Sequence, residues 1–226
     1  MMPKKCVVSF SGGQDSTTVA LWAKKEFDSV SLVGFDYRQK HHIELDQAKH
    51  IAQKLALPLH IICIDFFAQI TQSALLQHSP TAINAPHHTH SNLPASFVPN
   101  RNALFITIAH SFAQNIGATH LALGVSEEDY SGYPDCREDF IQKIQDTLNT
   151  GSGANICIHT PLMHMSKAQE FKMAADFGAL DLVLEDTHTC YEGVREKRHP
   201  WGYGCGICNA CKLRKNAYEK YLASLA

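Results

Sequence analysis

The chain has 226 residues, 45% hydrophobic and 19% charged, enough apolar material for the core of one globular domain with a small appendage. Twenty basic residues against twenty-two acidic ones leave a formal charge of −2, which argues against a protein that holds nucleic acid by phosphate neutralisation. No run of eighteen apolar residues occurs, so no membrane span is expected, and the apolar run 6–10 behind Met1-Met2-Pro3-Lys4-Lys5 is too short for a signal-peptide core; a cytoplasmic location is the expectation.

Short β-rich runs alternate with helical segments. A strand over 6–10 leads to a helix over 17–27, then a strand over 30–37. The next helix, near 44–55, places Leu45, Ala48, Ile51, Ala52 and Leu55 on one face. A third strand over 59–64 follows Pro58. This βαβαβ order predicts a doubly wound parallel sheet with helices on both sides. Residues 65–101 break the pattern. Four prolines (80, 86, 94 and 99) and the cluster His87-His88-Thr89-His90 read as a long loop. A metal site at the three histidines lacks a nearby carboxylate or cysteine, so they are not assigned as ligands.

A buried helix, apolar on most faces, is expected over 102–116, ending at Gly117. A strand over 120–124, a polar loop over 126–137 and a helix near 138–148 come next. A fifth strand over 156–159, a helix over 167–177 and a short apolar run over 180–184 complete the α/β part. The segment 209–225 reads as a helix with basic residues near its start.

The string Val7-Val8-Ser9-Phe10-Ser11-Gly12-Gly13-Gln14-Asp15-Ser16-Thr17-Thr18 places two glycines between a strand and a helix. Glycine permits the tight turn and the close approach of backbone N–H groups to an anion. The following helix adds its N-terminal dipole and unpaired amides, and Ser11, Ser16 and Thr17 add hydroxyls. The pattern is a polyphosphate cradle at the carboxyl end of the first strand. No Lys-Ser/Thr pair closes it, so it is not a Walker A loop. A plain strand-to-helix turn capped by Asp15 or Ser16 is the bland reading.

Of eight cysteines, Cys6, Cys63 and Cys157 sit in or beside apolar runs and read as buried thiols. Cys205-Gly206-Ile207-Cys208-Asn209-Ala210-Cys211 gives two overlapping Cys-x-x-Cys spacings, with Cys190 upstream. Close pairs can wrap thiolates around one ion and a distant fourth completes a Zn²⁺ tetrahedron. Such a zinc has no open position and is structural; an iron–sulfur cluster is the competing occupant. Lys212, Arg214 and Lys215 offset thiolate charge or form a solvated helix face.

Ser11-Gly12-Gly13-Gln14-Asp15-Ser16 resembles the signature of the PP-loop ATP pyrophosphatases. Further strings narrow the resemblance. These are Asp36-Tyr37-Arg38-Gln39-Lys40-His41, Phe97-Val98-Pro99-Asn100-Arg101-Asn102, the run Asp129-Tyr130-Ser131-Gly132-Tyr133-Pro134-Asp135-Cys136-Arg137, and Thr160-Pro161-Leu162-Met163 with Ser166-Lys167. Together with the final cysteines they resemble the 7-cyano-7-deazaguanine synthase family, in order from about residue 5 to 216.

The resemblance implies ATP-dependent conversion of 7-carboxy-7-deazaguanine and ammonia to 7-cyano-7-deazaguanine (preQ0), a queuosine precursor, through adenylated intermediates. It implies ATP contacts over Phe10, Ser11, Gly12, Gly13, Gln14, Asp15, Ser16, Thr17, Thr18, Val19 and Ala20, and a homodimer. Charge concentrates on phosphate oxygens in this chemistry, which calls for Mg²⁺ and fixed cations. Arg101 and Lys167 are the candidate cations, and Asp15 the candidate to orient Mg²⁺ or accept from the nucleotide. Tyr130, Gly132, Tyr133, Asp135 and Arg137 are candidates for holding the planar heterobicycle by stacking and hydrogen bonding; a rigid surface turn is the alternative. Cys136 reads as an inert thiol, since adenylation and amination need no nucleophilic side chain.

Arg38 and Asn100 stand where the family usually has glycine, and the stretch 195–203 is longer than usual. The expected organisation is an α/β domain over 1–186 and a zinc-binding element over 187–226. Two rivals remain: a PP-loop tRNA-thiolating enzyme, which needs an RNA-binding surface, and a zinc-dependent, ATP-sensing regulator that binds DNA or protein.

Overall fold

The computed structural model describes residues 3–39, 43–70, 97–127 and 133–225. In chain order, β1 (Lys5–Ser9) feeds α1 (Gln14–Glu26), followed by β2 (Ser29–Asp36), α2 (Ile43–Leu55), β3 (Leu59–Cys63) and the short α3 (Phe67–Ile70). Then come α4 (Arg101–Asn115), β4 (His120–Ala122), α5 (Glu138–Ser152), β5 (Cys157–His159), α6 (Lys167–Asp176) and α7 (Leu180–Asp186). A two-stranded antiparallel ribbon, β6 (Arg198–His199) and β7 (Gly202–Tyr203), precedes α8 (Asn209–Ala223).

The five main strands are all parallel, in the order β3-β2-β1-β4-β5. Alternation along β1 divides the core into two layers. Val7 packs with Val33 and Leu121 against Ile106, Ala109 and Ala113 of α4 and Ile141 of α5. Cys6 and Val8 face the other way, with Leu32 and Ala122, onto Val19, Ala20 and Ala23 of α1 and Ile51 and Leu55 of α2. Helices therefore cover both faces, which is the doubly wound parallel arrangement. Each fully buried valine or leucine contributes roughly 1.5–3 kcal/mol of transfer free energy, so the two layers fix the register from both sides.

Several details differ from the sequence expectation. The run 180–184 is a helix, α7, because Val183 and Leu184 are buried while Asp181 stays outside. Helix α5 continues to Ser152 and stops at Gly153, whose φ of 66° ends the helical turn. Helix α4 buries only the stripe Ile106, Ala109, His110 and Ala113, and Phe105, Ile108 and Phe112 are half-buried. Cys63 and Cys157 are exposed rather than buried, because β3 and β5 are the edge strands; Cys6, on the central strand, is buried. His87, His88 and His90 lie outside the described residues.

A third layer joins α6, α7 and α8 through Phe171, Val183, Leu184, Ala217 and Tyr221. Arg214 is its fastener. The side chain is 2% exposed and donates to Trp201 O at 2.8 Å, Val183 O at 2.7 Å, Thr187 Oγ1 at 2.8 Å and Thr189 Oγ1 at 2.6 Å. Burial lowers its pKa to about 10, still charged at neutral pH. It therefore belongs to no solvated helix face, in contrast to the exposed Lys212 and Lys215. Gly202, at φ 118°, makes room for it: a Cβ there would meet Arg214 Nη2 at 2.7 Å and Leu184 O at 2.9 Å.

Candidate functional site

The strand order reverses at β1, so the crevice between β1 and β4 opens at their carboxyl ends, where open α/β sheets place ligands. A cavity of about 360 Å³ lies there, lined by Ser11, Gly13, Asp15 and Ser16 from the loop, Phe35 and Tyr37 from the end of β2, and Gly124 to Ser126 beyond β4. Its size falls within the range of small-molecule sites.

The glycine loop forms the floor. Gly12 has φ 78°, and a Cβ on it would meet Ala48 N at 2.7 Å and Ala48 Cα at 2.8 Å. The turn is thus pressed onto α2 and only glycine fits. Ser16 Oγ accepts from Ser11 N at 3.2 Å and donates to Gly13 O at 3.3 Å, while Gly13 N donates to Ser11 Oγ at 3.3 Å. These bonds hold the loop curled around the start of α1. Gly124 comes within van der Waals range of the same place; a Cβ there would meet Ser16 N and Asp15 C at 3.1 Å. The N-cap of α1 is Gly13, with no side-chain cap. Among the described residues no N-cap side chain satisfies the first-turn amides of α1, and neither Asp15 nor Ser16 serves as the cap.

Phe10, Gln14 and the loop residues up to Ser16 reach the cavity, apart from Gly12 behind the turn. Thr17, Thr18, Val19 and Ala20 do not: all four are fully buried. Thr18 Oγ1 donates to Gln14 O at 3.0 Å, and Val19 and Ala20 pack into the core. The helix periodicity turns these positions toward the sheet, away from the cavity.

Asp15 and Lys167 are brought together, with Lys167 Nζ 2.6 Å from Asp15 Oδ1 and 3.1 Å from Glu170 Oε1. Glu170 is completely buried, and Gln14 Nε2 donates to its other oxygen at 3.3 Å. A capping box of Ser166 and Gln169 starts α6 and sets Lys167 in its first turn. One cation and two carboxylates thus stand beside the loop.

Arg101 occupies the opposite wall, at the first turn of α4. Burial opposes its charge, but Tyr37, Asp135, Tyr133 and Tyr191 outweigh burial and raise its pKa above the ordinary guanidinium value. Burial pushes Tyr37 up to about 12. Burial also pushes Glu44, on the cavity wall, up to about 7, with Arg101 opposing. Asn100 and Arg38 both adopt the left-handed region, at φ 61° and 58°. Glycine takes this conformation without strain, so a side chain at either position is held at a backbone cost.

Tyr133 lines the cavity and stacks on Phe97 with centroids 5.4 Å apart. Asp135 is 8% exposed and accepts from Asn102 N at 3.2 Å, so its carboxylate holds the start of α4 instead of facing the cavity. Burial raises its pKa, against the Asn102 bond and Arg101. Arg137 is exposed at the N-cap of α5 and does not reach the cavity. Tyr130 and Gly132 lie outside the described residues. Cys136 is on the cavity wall, where its Sγ accepts from Asn102 Nδ2 at 3.4 Å.

Glu44, Glu170, His188, Thr189 and Tyr191 join the site without having been singled out in the sequence. His188 is the most informative. Its backbone N donates to Gly12 O at 3.2 Å, its Nε2 meets Cys190 O at 3.0 Å, and its buried Nδ1 has no partner among the described residues. It ties the cysteine centre to the glycine loop. The string Thr187-His188-Thr189-Cys190-Tyr191, directly before a candidate ligand, was the available signal.

The sulfurs of Cys190, Cys205, Cys208 and Cys211 all lie within 4.8 Å of one another, and Cys205 Sγ is 3.8 Å from Cys211 Sγ. A Zn–S bond of about 2.3 Å in a tetrahedron requires sulfurs about 3.8 Å apart, so the donor set fits zinc. Backbone N–H groups of Ile207 and Cys208 donate to Cys205 Sγ at 3.4 and 3.3 Å, and Cys211 N donates to Cys208 Sγ at 3.5 Å. Such bonds stabilise thiolates. Hydrogen bonds from Cys208 and Cys211 hold the Cys190 thiol far below its ordinary range. Gly204 abuts the cluster, and a Cβ there would lie 2.5 Å from Cys211 Sγ.

The sheet order and the glycine turn at its switch point define an α/β protein of the PP-loop type. The fold is shared with a protein described as a predicted subunit of tRNA methyltransferase from Methanocaldococcus jannaschii, at TM-score 0.51 and 20% identity, over 76% of this chain and 74% of that one. It is also shared with a 4-thiouridine synthetase whose structure holds RNA and bound ATP, at TM-score 0.52 and 15% identity, over 96% of this chain and 53% of that one. At such identities the likeness is one of fold. The chain belongs to the family described as Queuosine biosynthesis protein QueC, whose model matches residues 5–222. It is 59% identical over 218 residues to a 7-cyano-7-deazaguanine synthase of Helicobacter pylori (strain P12), covering 96% of each chain. To relatives of the same name it is 54% identical over 219 residues in Wolinella succinogenes (97% and 94% of the two chains) and 44% over 219 residues in Clostridium novyi (96% and 95%).

Proposed function

We propose that this chain is an ATP-dependent enzyme that makes 7-cyano-7-deazaguanine from 7-carboxy-7-deazaguanine and ammonia, releasing AMP and pyrophosphate. The observation that carries the reading is the glycine turn at the switch point, with the first-turn amides of α1 beside a cavity of about 360 Å³. Family membership and the shared name of relatives at 44–59% identity support the substrate.

A substrate carboxylate oxygen attacks the α-phosphorus of ATP, the bond to the β-phosphate breaks, and pyrophosphate departs. Ammonia then displaces AMP to give the amide. A second ATP activates the amide oxygen, and loss of AMP with two N–H protons leaves the nitrile. Both activations build charge on phosphate oxygens, which fixed amides and cations stabilise. Ser11, Gly13 and the start of α1 receive the departing diphosphate; Lys167 stabilises its charge; and Asp15, together with Glu170, orients Lys167 and offers an oxygen to Mg²⁺. Arg101, held among Tyr37, Tyr133 and Tyr191, faces the substrate side. Tyr133 on Phe97 offers the flat surface a bicyclic base needs.

Residues 187–226 act as a zinc-held element that closes the cavity through His188, Thr189 and Tyr191. When bound, zinc supplies cross-linking of four thiolates and no open coordination position. No helix among the described residues is long and apolar enough to cross a membrane. A cytoplasmic homodimer without a nucleic-acid partner completes the proposal, in keeping with the charge of −2.

The test incubates the purified chain with ATP, Mg²⁺, ammonium and 7-carboxy-7-deazaguanine, and follows products by mass spectrometry. Nitrile with AMP and pyrophosphate is expected. ADP with orthophosphate, or an unconsumed acid, refutes it.

A further inference from the structure

A second group of soft donors lies on the opposite end of α1 from the glycine loop. His120 opens β4, and Cys157 and His159 lie two apart on β5, so both β5 side chains project from one face of the sheet. The register pairs His120 with Cys157 and Ala122 with His159. The ligating atoms of His120, Cys157 and His159 all fall within 4.8 Å of one another, and His120 Nδ1 is 3.0 Å from His159 Nε2. One aromatic wall encloses them: the Phe27 ring is 4.8 Å from that of His120 and 5.5 Å from that of His159, and Trp22 is 5.6 Å from His159.

We infer that His120, Cys157 and His159 form a second metal site, which takes Zn²⁺ or another borderline divalent transition-metal ion through two imidazole nitrogens and one thiolate. Two nitrogens and a sulfur are a donor set such ions prefer. A hydrogen bond between the two rings accounts for the histidines alone; it leaves unexplained why a thiol converges on the same point. For bonds of about 2.0–2.1 Å to nitrogen and 2.3 Å to sulfur, tetrahedral ligand atoms stand roughly 3.3–3.6 Å apart. The two nitrogens need a small separation and the sulfur a small approach, which the exposed side chain of Cys157 can make. Exposure on this side also provides the entry path. Cys6, paired with His120 on β1, is the neighbouring thiol, but it is fully buried and its Sγ donates to Val7 O at 3.4 Å. Among the described residues the site therefore has three protein ligands, which leaves one position to water or another small ligand.

Helix α1 separates this site from the glycine loop by roughly 20 Å, at 1.5 Å per residue, so it takes no part in the adenylation chemistry. Its mechanical effect is local. An ion bound to His120 and to Cys157 and His159 ties edge strand β5, only three residues long, to β4.

The test uses the full chain with its four-cysteine centre loaded, titrated with Zn²⁺ alone in a metal buffer and counted by elemental analysis and native mass spectrometry. Wild type should hold two zinc ions per chain, and Cys157→Ser and His159→Asn one each. Replacement of the second ion by Co²⁺ should give a thiolate-to-cobalt charge-transfer band that Cys157→Ser abolishes. One zinc ion in wild type, or two retained in both variants, overturns the proposal. In the second case a variant lacking His87, His88 and His90 locates the adventitious ion. Circular dichroism and thermal melting keep a folding failure separate: a variant that melts like wild type without added zinc yet binds one ion supports the site.

Discussion

Glu44→Gln gives a direct reading of the electrostatics of the cavity wall. Burial, against the attraction of Arg101, pushes the Glu44 carboxyl from its ordinary 4.5 to about 7. The folded protein therefore keeps the proton at pH values where the unfolded chain has lost it. Stability associated with this group is complete below about pH 4.5 and is lost as pH rises through 7. At about 1.4 kcal/mol for each pH unit between the two values, the loss totals roughly 3 kcal/mol. Glutamine resembles the protonated acid and cannot ionise, so the variant escapes that loss. Urea unfolding of both proteins, with zinc in excess, should be measured from pH 5 to 8.5. The variant's advantage should grow from roughly 1 kcal/mol at the acid end to roughly 3 kcal/mol at the alkaline end. Other titrating groups are shared and cancel in the difference. Parallel profiles, or an advantage that shrinks as pH rises, would refute the reasoning.

Gly12→Ala should cost about 2 kcal/mol or more, because it adds left-handed strain to a Cβ set 2.7 Å from Ala48 N; thermal melting and loss of ATP binding by calorimetry check it. Lys167→Met should lower AMP formation by about 10²–10³-fold, since Asp15 and Glu170 then face the loop without their shared cation; quenched-flow product analysis measures it, and a fall below tenfold would remove Lys167 from the chemistry. At residue 38, with φ 58°, Arg38→Gly should be about 1 kcal/mol more stable than Arg38→Ala, as read from urea midpoints. Cys208→Ser should release zinc from the four-sulfur centre and lower the melting temperature, checked by metal analysis beside calorimetry.

Elements with a strong periodic signal were legible in the sequence. The βαβαβ half, the glycine turn and the convergence of the four cysteines are where the patterns placed them, since each depends on spacing along the chain. Contacts set by the third dimension were not. Burial of Arg214 depends on four acceptors supplied by residues 183 to 201, and nothing in its neighbourhood on α8 separates it from Lys212 or Lys215. The string around Asp135, rich in aromatics, gave no sign that its carboxylate accepts from the first turn of α4. Glu44 was not singled out in the sequence, and its raised pKa comes from burial, which only the assembled fold sets and which Arg101 opposes. The edge position of β5, which exposes Cys157, follows from the strand order and not from the apolar run that contains it.

The most direct test of the central claim is a crystal structure with a non-hydrolysable ATP analogue and Mg²⁺. The β- and γ-phosphates should lie within hydrogen-bond distance of the amides between Ser11 and Ser16, with Lys167 Nζ on the same oxygens. A triphosphate bound away from that turn, or pointing its γ-phosphate toward Arg101 and Tyr133, would contradict the account.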